Sequence, residues 1–261
     1  MIYVNGRFLL QSLTGVNRFA YELCRAWVQM GIPFILCCPS GSIKGCYDVS
    51  HFNIVVYGWG KSHVWEQLLL PLWFSRIKGE KVLVCFTGLG PLLIRKKIMT
   101  IHDLAFMANP DWYSRSYRLW YRLMTPLCVA TSMKILTVSE FSKSEIVRRL
   151  SIDDRKISVI YNAVSSLFCV SDSSHRNARE VTGEKYILAV SSIDPRKNFS
   201  MLLKAFAQMD DKNIKLYIVG GQANIYSTSI KELCDNIPTD RIKWLGPVSY
   251  THLRAHETRS N

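Results

Sequence analysis

Short apolar runs alternate with helical patterns along this chain, most clearly in its second half. Tyr186–Val190 is an apolar, β-branched run long enough for a buried strand, and Ser191–Pro195 interrupts it as a loop. The apolar positions that follow recur at i, i+3, i+4 and i+7, which predicts one face of a helix: Phe199, Leu202, Leu203 and Phe206. Asn198 is a favourable N-cap residue for that helix.

The first half repeats this alternation. The predicted strands of the whole chain are Met1–Leu9, Ile32–Cys38, Asn53–Tyr57, Lys81–Phe86, Ile98–Ile101, Lys134–Val138, Lys156–Tyr161, Tyr186–Val190, Ile214–Val219 and Ile242–Leu245. The remaining helices are predicted after Gly15, over the aromatic segments His63–Phe74 and Asp111–Cys128, and over Lys143–Leu150 from a Ser142/Glu145 capping box. Strands alternating with helices predict a parallel α/β sheet covered on both faces.

Composition sets the number of domains and the cell compartment. The 261 residues, 48% of them hydrophobic, suffice for one large or two ordinary domains. We predict domains over 1–164 and 184–247, joined by a polar linker at 165–183. No apolar run reaches the roughly 18 residues of a membrane span, and the N-terminus is typical of a strand rather than a signal peptide, so a cytosolic protein is expected. The eight cysteines lack ligand spacing and are expected to be reduced core residues.

The formal net charge of +13 predicts an acidic partner. Nucleic acid ranks low among such partners because no nucleic-acid-binding motif is present. In Asp111–Cys128, arginines and aromatic residues share part of a helical face. That face fits an anionic membrane surface, and it equally fits an amphipathic helix with a solvated basic side.

Two places in this pattern are candidate anion sites. Arg196 and Lys197 occupy the last loop positions before a helix N-terminus, where unpaired N–H groups and the helix dipole favour a phosphate or diphosphate. Gly15 stands at the first strand–helix turn, where the absence of a side chain lets the backbone approach a ligand. The alternatives are two solvated loop charges and an ordinary tight turn.

His102 and Asp103 follow a predicted strand, at the sheet edge where open α/β proteins bind ligands. The imidazole can donate a hydrogen bond or carry a proton near neutral pH. A structural histidine satisfied by its surroundings is the alternative. A metal site is not expected, because no second His or Cys stands at ligand spacing.

Seven segments together resemble the ordered blocks of a GT-B glycosyltransferase of family 4. They are TGVNRFAYEL, TIHDLAF, TVSEFSKSEI, ISVIYNAV, YILAVSSIDPRKNFSMLLKAF, LYIVGG and IKWLGPV. The resemblance implies two Rossmann-like domains, with a nucleoside-diphosphate sugar held by the C-terminal domain and an acceptor presented by the N-terminal one. It also implies retention of anomeric configuration, without a metal or other cofactor.

The same resemblance assigns roles to individual residues. It implies that Lys197, Arg196 and Gly15 bind the donor diphosphate and that His102 lies near the transferred sugar. Asp103 and Asn162 are expected in the neighbourhood of the sugar or the acceptor.

The chain also departs from the family pattern. Ser192 stands where many relatives have Arg, and Ala163 replaces the usual Gly. The paired glutamates of the donor-sugar motif, E-x7-E, are absent. A second Rossmann-like domain would need roughly 100 more residues after Pro247. VSYTHLRAHET, from Val248 onward, matches one frame of a transposase sequencing adapter. We therefore expect 248–261 to be artefactual, the second domain to be incomplete, and this chain to be a truncated, inactive fragment.

The resemblance implies a retaining transferase that builds a cell-surface polysaccharide on a lipid-linked acceptor. A GDP-linked mannosyl donor is the first expectation and a UDP-sugar the second. The basic surface is expected to hold the protein on the cytoplasmic face of the inner membrane. The alternatives are a GT-B nucleotide-sugar epimerase and a non-catalytic fragment that binds membrane or acceptor.

Overall fold

A computed structural model describes residues 1–60, 63–164, 185–193, 195–221 and 241–246. The chain divides into two compact units. One comprises Met1–Ala108 and Leu119–Asn162, and the other Asn109–Arg118 and Ala163–Asn261. The predicted linker at 165–183 and the predicted artefactual tail at 248–261 lie outside the described residues.

The described part of the first unit contains a parallel sheet of seven short strands. They are β1 (Ile2–Asn5), β2 (Phe34–Cys38), β3 (Ile54–Val56), β4 (Val82–Cys85), β5 (Lys97–Thr100), β6 (Lys134–Thr137) and β7 (Ile157–Val159). Their spatial order is β3-β2-β1-β4-β5-β6-β7. The chain order reverses between β1 and β4, and open parallel sheets bind ligands beside the carboxyl ends of strands at such a reversal.

Helices connect these strands. They are α1 (Gly15–Gln29), a π-helix (Trp65–Leu69) continued by α2 (Leu70–Arg76), α3 (Ala105–Ala108), α4 (Arg115–Thr131) and α5 (Glu140–Leu150). The hydroxyl of Thr14 caps α1 by accepting the Asn17 N–H at 3.3 Å. Among the helices that can be described, none has the length and apolar character needed to cross a membrane.

Alternate residues of β1 pack on opposite faces of the sheet, as strand geometry requires. Val4 lies in a core that includes Ala20 of α1. The ring of Tyr3 instead makes edge contacts with Trp73 and Phe74 of α2, with centroids 5.7 Å apart in each case. Both faces of the sheet are therefore covered, which confirms the predicted architecture.

Lys97 corrects one prediction. The predicted strand starts at Ile98, whereas Lys97 already begins β5 and is fully buried. Its ammonium group donates to the Ile94 carbonyl at 2.9 Å and to the Thr131 hydroxyl at 2.6 Å. Burial lowers the pKa of this ammonium group.

Two predicted boundaries in the first unit were also wrong. β1 stops at Asn5, because residues Arg7–Leu10 form a 3-10 turn instead of extending the strand. α5 starts three residues earlier than predicted: Ser139 is the N-cap and accepts the Ser142 N–H at 3.1 Å. Glu145 pairs with arginines of the same helix and does not form a capping box.

The described part of the second unit is a three-stranded parallel sheet with one helix. β8 (Tyr186–Val190), β9 (Lys215–Val219) and β10 (Ile242–Gly246) stand in the order β10-β9-β8, and α6 (Phe199–Ala207) follows β8. The predicted apolar face of α6 packs against the sheet. β8 was expected to be buried, but it is the outer strand of the described sheet, and both its end residues are exposed.

The cysteine prediction is confirmed for most of the described thiols. Burial raises their pKa, to about 12 for Cys38 and about 11 for Cys128, so they stay protonated. Five described cysteines are free and buried: Cys24, Cys37, Cys38, Cys85 and Cys128. Cys46 is exposed, contrary to expectation, and Cys169 and Cys234 lie outside the described residues.

Candidate functional site

The N-terminus of α1 is open at Gly15. A Cβ atom built on this residue would meet no atom within 4 Å. Thr14 satisfies the N–H groups of Asn17 and Arg18, whereas those of Gly15 and Val16 donate to no acceptor among the described residues. Free N–H groups at the positive end of a fifteen-residue helix form a suitable environment for an anion.

His102 lies at the carboxyl end of β5 and is held by a backbone carbonyl. Its Nε2 is 2.9 Å from the Phe86 oxygen, and because a carbonyl can only accept, Nε2 carries the proton. Burial lowers the pKa of His102, against the opposing effects of this hydrogen bond and of the Asp103 charge. The imidazole is therefore neutral at physiological pH, and Nδ1 remains as a hydrogen-bond acceptor.

Phe19 brings Gly15 and His102 to the same part of the first unit. It lies one turn after Gly15 on α1, and its ring makes an edge contact with the His102 ring at 5.0 Å. The helix predicted after Gly15 contains Phe19, but the prediction of a helix did not indicate this contact. An aromatic residue at i+4 from a turn glycine was the available signal for this contact.

Asp103 and Asn162 differ in their relation to His102. Asp103 is exposed and accepts the N–H of Ala105, the first residue of α3, at 3.0 Å. Asn162 is exposed beyond the end of β7, which lies two strands away from β5. Two strand spacings amount to roughly 10 Å, so the sheet does not bring Asn162 to His102.

In the second unit, Arg196 and Lys197 form a 3-10 turn with Pro195 immediately before α6. Lys197 is exposed and forms no ion pair with any described residue, whereas Arg196 is half-buried. Asn198 occupies the N-cap position, but its backbone is left-handed with φ 48°, and its side chain makes no capping hydrogen bond. The predicted placement of the basic pair is confirmed, and the predicted capping interaction was wrong.

The loops after β8 and β9 are locked together at Gly220. Ile193 donates its N–H to the Gly221 carbonyl at 3.1 Å. A Cβ atom on Gly220, whose φ is 148°, would lie 1.7 Å from the Ser191 oxygen. Glycine is therefore required where the strand end approaches the loop that carries Ser192 and the basic pair.

Sequence analysis missed a polar cluster at the carboxyl end of β1, which we call the Glu66 cluster. It consists of Asn5, Arg7, His63 and Glu66. Asn5 and Glu66 are each 1% exposed. A histidine and a glutamate three residues apart in an otherwise apolar, aromatic segment were the only sequence signal.

Comparisons with known proteins give this geometry a family context. The model of Glycosyltransferase Family 4 matches residues 13–166, and that of Glycosyl transferases group 1 matches residues 170–261. The second match includes the segment expected to be artefactual, and that expectation stays a prediction.

The chain is also similar in sequence to two curated proteins. The chain is 30% identical over 177 residues to the O-antigen chain mannosyltransferase RfbU of Salmonella typhimurium, covering 67% of this chain and 47% of that protein. It is 26% identical over 125 residues to the O-antigen chain mannosyltransferase B of Escherichia coli, covering 44% of this chain and 32% of that protein. The matched region thus spans less than half the length of either relative.

A solved structure supports the fold. Sucrose-phosphate synthase from Thermosynechococcus elongatus aligns with a TM-score of 0.67 at 15% identity, covering 98% of this chain and 72% of that one. This likeness and the parallel sheets confirm the predicted α/β GT-B fold. The model of Glycosyltransferase Family 4 matches more than half of this chain, and the chain therefore belongs to glycosyltransferase family 4.

Proposed function

We propose that this chain belongs to a retaining glycosyltransferase that moves a sugar from a nucleoside diphosphate to a glycan acceptor in cell-surface polysaccharide synthesis. The observation that carries the proposal is the open first turn of α1 at Gly15, on the helix whose Phe19 contacts a neutral His102, in a member of family 4. Mannose on GDP is the first candidate donor, because both curated relatives are named as O-antigen mannosyltransferases. UDP-sugars are the second.

The proposed reaction develops negative charge on the leaving diphosphate. The bond between the anomeric carbon and the diphosphate oxygen breaks, while the acceptor hydroxyl bonds to the same face of that carbon. The leaving phosphate oxygen takes the acceptor proton, so neither a metal nor a strong base is required. Each unit by itself contains groups suited to stabilise such a charge: free N–H groups at Gly15 in the first, and the cations of Arg196 and Lys197 in the second.

His102 has a positioning role in this proposal. Because its Nε2 proton is engaged by Phe86, it presents Nδ1 as an acceptor for a sugar hydroxyl. A neutral imidazole adds no positive charge beside the sugar, so the charge that stabilises the diphosphate comes from other groups.

Titration with GDP tests the donor assignment. Lys197→Ala is expected to weaken GDP binding by roughly 10-fold or more, since a hydrogen bond to a charged group contributes about 1.5–3 kcal/mol. Lys204→Ala removes an exposed lysine of α6, the helix that follows Lys197, and is the matched control. Equal affinities for the two variants, or no binding of GDP or UDP by the wild-type chain, would contradict the proposal. Conversion of GDP-mannose without any acceptor would favour the epimerase alternative.

We further propose that the acceptor is lipid-linked and that the protein binds the cytoplasmic leaflet through its leucine surface. This surface is the exposed side of the two helical segments 65–76 and 119–131. Its leucines are Leu68, Leu72, Leu119, Leu123 and Leu127. Arg122 is exposed among those of α4, so apolar and cationic groups are available together.

Liposome co-sedimentation tests this surface. Binding to vesicles with anionic lipid is expected to exceed binding to neutral vesicles and to weaken with added salt. Leu119→Ser combined with Leu123→Ser should reduce binding several-fold, whereas Met30→Ser, at a similarly exposed apolar position just after α1, should not. Equal binding to anionic and neutral vesicles would refute the membrane proposal.

A further inference from the structure

The Glu66 cluster is a buried carboxylate with three partners. Oε1 accepts from the Asn5 amide at 2.6 Å, while Oε2 lies 3.4 Å from the Arg7 guanidinium and 3.4 Å from His63 Nδ1. Arg7 already compensates the negative charge and Asn5 already satisfies one oxygen. The charge of the carboxylate is therefore compensated without His63, whose side chain is the most exposed in the cluster, at 35%.

The carboxylate nevertheless orients the His63 ring. An imidazole that donates from Nδ1 to a carboxylate keeps the lone pair on Nε2. Nε2 has no hydrogen-bond partner in the part of the chain that is described. His63 thus presents a hydrogen-bond acceptor of defined direction at the carboxyl edge of the sheet.

Aromatic side chains of α4 stand against this ring. Trp120 lies 5.2 Å from His63 between centroids, with planes inclined by 38°, and Tyr121 lies 6.0 Å away in an edge contact. The Trp120 Nε1 atom is buried and meets no acceptor among the described residues. Trp120 as a whole is only partly buried, so part of this side chain remains accessible beside His63.

We infer that His63 and Trp120 form a sugar-binding subsite, with Glu66 as its positioning residue. A sugar ring has hydroxyl groups at its edge and apolar C–H groups on its faces. The subsite offers a matching set: a hydrogen-bond acceptor at His63 Nε2, and beside it the aromatic surface of Trp120. Within the proposed function, on which this step rests, the ligand is a sugar ring of the acceptor glycan.

The orientation by Glu66 is tested without any ligand. Histidine ring NMR is expected to show the Nδ1–H tautomer for His63, assigned among the six histidines with a His63→Gln variant. In Glu66→Gln the amide still accepts from Asn5 but now donates toward Nδ1, so the proton should move to Nε2. A tautomer that is the same in both proteins would overturn the positioning role.

Sugar binding is tested by saturation-transfer NMR on the whole chain, with methyl α-mannoside, methyl α-rhamnoside and methyl α-galactoside as probes. His63→Gln and Trp120→Leu are expected to lower the signal of the bound probe at least threefold. His51→Gln and Trp59→Leu, at exposed positions outside the cluster, are the matched controls and should leave it unchanged. An equal loss in the controls, or no signal in the wild type, would overturn the subsite.

GDP titration of the same samples separates this inference from the proposed function. If the wild type binds GDP but no glycoside, the subsite is wrong and the transferase proposal stands. If glycosides bind and nucleotides do not, the subsite stands and the donor assignment fails. Unchanged GDP affinity in His63→Gln shows that its effect is confined to the sugar.

Discussion

Gly15→Ala separates the effect of a ligand from the effect of the fold. The added methyl group meets no atom within 4 Å, and the backbone at Gly15 is ordinary helix. Alanine is favoured over glycine in helices by up to about 1 kcal/mol, so stability should stay the same or rise. For a chain of this size, 1 kcal/mol corresponds to roughly 2–4 °C in Tm.

The same methyl group should impair binding of a diphosphate. If the Gly15 N–H donates to the donor, a displaced hydrogen bond to a charged group costs about 1.5–3 kcal/mol. That loss corresponds to roughly 10- to 150-fold in the Kd for a GDP-sugar. The expected variant is therefore at least as stable as the wild type and much weaker in binding.

Thermal unfolding and titration with GDP-mannose measure the two effects on one preparation. Gly45→Ala is the matched control, because Gly45 is exposed and its added Cβ also meets nothing within 4 Å. Gly45→Ala should change the free energies of unfolding and of GDP-mannose binding by no more than about a few tenths of a kcal/mol. A Gly15→Ala protein that binds like the wild type would refute the assignment of this helix terminus to the diphosphate, and a fall in Tm would refute the argument from open space.

Three further predictions concern groups whose environment the fold sets. The pKa of His102 is lowered in the folded protein, so below about pH 6.5 the unfolded state binds more protons than the folded state. The stability of the wild type should therefore fall relative to that of His102→Gln as the pH drops through this range. Denaturant titrations of both proteins at pH 8 and 5.5 measure the difference in their free energies of unfolding, and a difference that does not change with pH would refute the prediction. Gly220→Ala should lower stability by several kcal/mol or prevent folding, because its Cβ would lie 1.7 Å from a backbone oxygen, and a normal Tm would contradict that geometry. Asn198→Ala should destabilise the protein by about 1 kcal/mol and Asn198→Gly should not, since the left-handed backbone is costly for alanine; equal Tm values would count against that backbone conformation.

Local patterns predicted the elements well because their causes are local. The spacing of apolar residues in α6 predicted the face that the structure buries. Boundaries were less well predicted. Asn198 and Ser142 have side chains suited to N-caps, but a cap also requires a backbone conformation that the surrounding packing decides. In α5 that conformation falls at Ser139.

The candidate site divides in the same way. Strand–loop–helix order was enough to predict where Gly15, His102, Arg196 and Lys197 lie, since each follows a strand or precedes a helix. It was not enough to predict the state of the imidazole. That state depends on the carbonyl of Phe86, sixteen residues away, and on burial.

The sequence by itself determined the parallel α/β class, the order of the elements and the family. The periodicity of apolar residues and the short ordered blocks can be recognised in the sequence without any knowledge of distant contacts. Tertiary structure alone decided that Lys97 is buried and that Glu66 meets Asn5, a residue 61 positions earlier. Such pairs form because a folded sheet brings distant strand ends to one edge, and a buried charge there must find a partner wherever the fold supplies one.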